Sequence, residues 1–115
     1  MSLYAFVAPI QPGKTAEFRQ FAADLSGSKR ADYEASRKGA GFNRETIFLQ
    51  KTSMGEMVVV VQEAENAQQA LASLRGMKDP FNVWFFQKLK DIHGIDIVGS
   101  DVPMNELLLD YRAAT

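Results

Sequence analysis

Apolar positions change period several times along the chain, and each change marks an element. From Leu3 to Ile10, Leu3, Ala5 and Val7 alternate with Tyr4, Phe6 and Ala8, which predicts a first strand with apolar side chains on both faces. Pro9 and Pro12 close it. After Gly13-Lys14-Thr15 the period becomes helical, with Phe18, Phe21, Ala22 and Leu25 at i, i+3, i+4 and i+7 and Gly27 as the stop. Ser28 caps a second helical segment that runs to about Lys38 and breaks at Gly39-Ala40-Gly41. Arg44 to Lys51 and Glu56 to Glu63 read as two strands joined by Thr52-Ser53-Met54-Gly55. Within the second, Met57-Val58-Val59-Val60-Val61 is apolar on both faces, as in a strand covered on each side. Asn66 then caps a helix whose Ala67, Ala70, Leu71 and Leu74 face inward, ending at Gly76.

The stretch from Asp79 to Gly94 carries the strongest helical signal. Asp79 suits an N-cap, Pro80 the first helical position and Gly94 the stop. Phe81, Phe85, Leu89 and Ile92 form one apolar stripe, while Asn82, Phe86, Leu89 and His93 line its flank, with polar groups at both ends of an apolar strip. Ile95 to Pro103 is interrupted, and reads as a short strand or a tucked loop. In residues 106–112, Leu107, Leu109 and Tyr111 alternate, which favours a last strand over a C-terminal helix.

The order strand, helix, strand, strand, helix, strand is that of the α+β ferredoxin-like split β-α-β fold, a four-stranded antiparallel sheet with helices on one face. Such strands, apolar on both sides, leave the second face in need of cover, and a second copy of the chain packed sheet to sheet supplies it. A homodimer is therefore expected. The 115 residues form a single domain, 1–115. A formal net charge of −1 gives no reason to expect nucleic acid or an anionic membrane, and no apolar run reaches membrane-spanning length. The absence of cysteine excludes a disulfide framework and thiolate chemistry, and fits a cytoplasmic protein.

Pro12-Gly13-Lys14 after the first strand makes the chain resemble the dimeric α+β-barrel superfamily. That superfamily includes small monooxygenases, haem-degrading enzymes and many proteins of unknown function. Asp79-Pro80-Phe81-Asn82-Val83-Trp84-Phe85, Ile92-His93-Gly94-Ile95-Asp96 and Asp110-Tyr111-Arg112 resemble an uncharacterised family of about this length. The resemblance implies a fold more than a chemistry.

Candidate chemistry centres on His93, the only histidine, which is either a helix C-terminal cation or an acid–base group in a pocket. Tyr4, Arg44, Asn82, Trp84 and Phe86 complete the expected ligand-binding set, with Asn82 or Arg44 polarising an oxygen and Tyr4 and Trp84 shaping the pocket. Glu45, Asp96 and Asp110 stand in apolar segments, where Arg44 and Arg112 are available ion-pair partners. Lys29, Arg30, Arg37 and Lys38, interleaved with Asp32 and Glu34, read as a solvated helix face. Gly13-Lys14-Thr15 is no phosphate loop, because Ala8 stands where that motif needs glycine. The reading is a pocket between the sheet and the Asp79 helix that binds or transforms a small organic molecule without a cofactor. A non-catalytic scaffold dimer is the alternative. Haem binding is a further one, although haem-degrading relatives carry their Asn and Trp on strands, whereas Asn82 and Trp84 here share the helix with His93.

Overall fold

Seven elements follow the order that the periodicity predicts. In the computed structural model, which describes residues 2–96 and 104–114, they are β1 (Ser2–Pro9), α1 (Thr15–Ser26), α2 (Arg30–Ala40), β2 (Phe42–Thr52), β3 (Gly55–Ala64), α3 (Ala67–Arg75) and α4 (Pro80–His93). The strands form one antiparallel sheet in the order β1-β3-β2. β3 is thus central, with a strand paired on each edge. Val58 and Val60 turn toward the helices with Tyr4, Phe6 and Ala8, and the core forms between these strand residues and phenylalanines and leucines of the helices.

The opposite face of the sheet carries no layer among the described residues. Val7, Val59 and Phe48 lie in one cross-strand row and Ala5, Val61 and Thr46 in the next. Val7 is 57% exposed, Phe48 55% and Leu3 39%, so an apolar strip faces solvent.

β2 contains a bulge between Phe42 and Arg44, where Phe42 opposes Ala64 and Arg44 already opposes Glu63. The extra residue, Asn43, reverses the alternation that follows. Phe42 is buried, and an unbulged strand would bring Arg44 in beside it. With the bulge, Glu45 and Ile47 point inward and Arg44 points out.

The described residues form three strands, where four are expected. Residues 106–112 have no regular structure, and Leu107, Leu108, Leu109 and Tyr111 are exposed. The segment nevertheless arrives where a fourth strand would lie, since the Asn105 side-chain amide hydrogen-bonds both the N–H and the C=O of Ala5 on the free edge of β1. Its three consecutive leucines explain why alternation is a poor guide there. As a strand they would always present at least one leucine to the uncovered face of the sheet. The other uncertain stretch, Ile95 to Pro103, falls largely in residues 97–103, outside the described residues.

Candidate ligand cavity

Helix α4 is held at both ends. Its N-cap carboxylate, Asp79, accepts from the Asn82 N–H at 3.3 Å, and Pro80 occupies the first turn where no amide is missed. At the other end Gly94 adopts φ +73°, and its N–H closes on the Lys90 carbonyl at 2.9 Å. Two bonds then tie this end to the exit of β1. The Gln11 N–H donates to the Ile92 carbonyl at 3.0 Å, and His93 Nδ1 lies 2.9 Å from the Pro9 carbonyl.

A carbonyl can only accept, so His93 Nδ1 carries the proton and Nε2 keeps its lone pair. Burial holds the His93 pKa below its ordinary value, the Pro9 bond opposing the shift. The ring is therefore neutral at pH 7, a hydrogen-bond acceptor and potential base, and not the cation that a helix C-terminus would favour.

His93 forms one end of a cavity of about 60 Å³ between the sheet and helices α1, α3 and α4. Tyr4, Phe6, Phe18, Phe85 and Leu89 supply an almost wholly carbon wall. Ile47 and Phe18 also border a surface hollow of about 250 Å³, and Ile47 with Glu45 borders another of about 500 Å³. Ile47 thus stands between the cavity and these hollows, at the edge formed by α1 and β2.

The far end is polar and tightly paired. Glu45 accepts from Tyr33 Oη at 2.5 Å, from Arg37 Nε at 3.2 Å and from the Gln62 side-chain amide. Arg37 is buried, with its guanidinium carbon 4.4 Å from the Phe85 ring centre and 4.9 Å from that of Tyr33. It also donates to Ser36 Oγ at 3.0 Å, and Ser36 donates to Asn82 Oδ1 at 2.8 Å. Asn82 in turn donates to Asp79 Oδ1 at 2.8 Å, so a chain of hydrogen bonds runs from the sheet to the α4 cap. Burial and the adjacent Glu45 charge raise the Tyr33 pKa, which keeps its phenol protonated.

The residues singled out in the sequence divide between this cavity and its surroundings. Tyr4 and His93 line it. Asn82 is fully buried in the hydrogen-bond chain behind it, next to Met77 Sδ. Phe86 is buried and meets Phe85 edge-on. Trp84 packs on Phe21 and Phe81 with Lys29 Nζ 4.6 Å above its ring, outside the lining. Arg44 stands on the other face of the sheet, 3.7 Å from Glu63, for the reason the bulge supplies. The cation beside Glu45 is Arg37, which a helix rich in alternating charges hides among solvated residues. The signal that could have found it is spacing, since Tyr33, Ser36 and Arg37 share one face of α2 with Ala40.

Asn82 and Trp84, which the haem alternative would use beside His93, lie outside the cavity lining. Among the described residues no three His, Asp or Glu side chains gather as metal ligands, and no helix is long and apolar enough to cross a membrane.

Fold and site together define an α+β protein with an apolar cavity between sheet and helices, closed by a neutral histidine at one end and a buried ion pair at the other. Residues 1–91 match a family of unknown function, DUF6176, and the chain belongs to that family. No curated protein and no solved structure matches it.

Proposed function

We propose that the protein is a cytoplasmic homodimer of the dimeric α+β-barrel type that binds a small apolar molecule in the cavity between the sheet and α4. The carbon wall ending in a neutral His93 carries this reading, because a pocket of mostly apolar surface with few placed polar groups is the usual form of a small-molecule site. If the bound molecule is transformed, His93 Nε2 is the base, its ring held by the Pro9 carbonyl. The bare strip of Leu3, Val7 and Phe48 supports the dimer, since a second sheet would remove it from water. The same strip favours the second reading, a scaffold dimer whose cavity is only loose packing.

Native mass spectrometry of gently purified protein separates them. A dimer with retained small-molecule mass is expected, and it should lose that mass on mild activation. A dimer that carries no added mass even after equilibration with toluene leaves the scaffold, and a monomer removes the dimer.

A further inference from the structure

Edge strand β2 lies open beside the cavity. In an antiparallel ladder the peptide groups of a strand point alternately to either side, and those of Ala5 point away from β3, to Asn105. The pairing register carries this alternation across β3, so Glu45, Ile47 and Leu49 direct their N–H and C=O groups outward from the free edge of β2. The side chains of Ile47 and Leu49 turn inward. Between them and α1 lie the two hollows of about 250 and 500 Å³, floored by Phe18, Ala22 and Leu25. A free strand edge with a carbon-floored groove beside it is a template for one more strand.

Resting on the proposed dimer, we infer that residues 106–112 of the partner subunit pair with this edge and complete the wall of the candidate cavity on the side of Ile47. The segment has no regular structure, and Leu107, Leu108, Leu109 and Tyr111 are exposed in the single chain. Its own β2 is out of reach. Asn105 holds the start of the segment on the free edge of β1, the opposite edge of the sheet. Between the two edges the helices occupy the inner face, and in the dimer the second sheet occupies the outer one. A two-fold axis parallel to the strands instead sets the β1 edge of each copy over the β2 edge of the other. Stacked sheets are about 10 Å apart, a step that about three extended residues span. Leu109 and Tyr111 of the partner subunit, on one face of an extended chain, then enter the hollows beside Ile47, while Asp110 of the partner subunit lies on the side of Arg44. Each subunit thus takes part of its cavity wall from the other.

The chain has no cysteine, so an introduced pair reports its neighbours without background. The test combines Ala22→Cys, on α1 where it borders both hollows, with Leu109→Cys in the full-length chain. After mild oxidation most of the protein should run at twice the chain mass under denaturing conditions, and peptide mapping should find position 22 joined to position 109. Each single variant should stay at the mass of one chain. If Ala22→Cys does not fold, Ser26→Cys, exposed on the same rim, takes its place. Sedimentation of the unaltered protein separates the two levels of the reading. A dimer in which the 22–109 link forms within one chain, or does not form, overturns the exchange of the segment and leaves the dimer. A monomer removes the dimer and the exchange with it.

Discussion

At the scale of single residues, two buried groups connect stability to the site. Arg37 and Glu45 have side chains only 7% and 5% exposed, so removing one leaves the other charged and without its counterion. Arg37→Ala should cost about 3–5 kcal/mol in urea unfolding, and the paired change Arg37→Met with Glu45→Leu should cost less than the two single changes added. His93 gives a pH signature. Its folded pKa lies below the ordinary 6.5, so as the pH falls through 6.5 the unfolded chain gains a proton that the folded chain refuses. Stability should therefore be at its plateau above pH 6.5, fall between 6.5 and the lower folded value, and level off below that as far as this group is concerned. Unfolding measured from pH 7.5 to 5 should show the slope, and His93→Gln should flatten it. The residue scale is where the sequence was least legible. A charged helix face gave no sign that Arg37 is buried, because only its partner on another element reveals that. Phe42, Arg44 and Glu45 could not be sorted without knowing that Asn43 is an inserted residue.

At the scale of elements the sequence was far more legible. Caps are local chemistry, so Asp79, Asn66 and Gly94 mark helix ends without reference to the rest of the chain. The valine run of β3 marked a strand with apolar side chains on both faces, although among the described residues only its inner face is covered. Residues 106–112 show the limit, since consecutive leucines fit a strand or a helix and their exposure depends on what lies beyond the chain. Gly94 tests the α4 terminus. Its φ of +73° lies in the left-handed region, and an added Cβ would come within 2.5 Å of the movable Gln11 side chain. Gly94→Ala should cost about 1–2 kcal/mol, with Gly94→Asn closer to the unaltered protein in thermal unfolding.

For the whole molecule, the sheet divides two roles. Its inner face bounds the cavity, while its outer face offers Val7, Val59 and Phe48 in one row. Phe48→Glu places a charge in the centre of that strip and touches nothing inside. Sedimentation should then show monomers in place of dimers, with circular dichroism unchanged. The dimer was inferred from strands apolar on both sides, and the cavity from an amphipathic flank on α4. Neither pattern could show that the ends of the cavity are made by β1, β2 and α2 together, because that is set by register and by the bulge.

Alternate valines of β3 provide the most direct test of the ligand cavity. Val58 and Val60 line it, whereas Val59 and Val61 alternate with them on the outer face. Methyl NMR during titration with toluene should show saturable shifts at Val58, Val60, Ile47 and Leu89, with Val59 and Val61 unmoved. Shifts confined to Val59, Val61 and Val7, or none at all, would contradict a ligand cavity beneath α4.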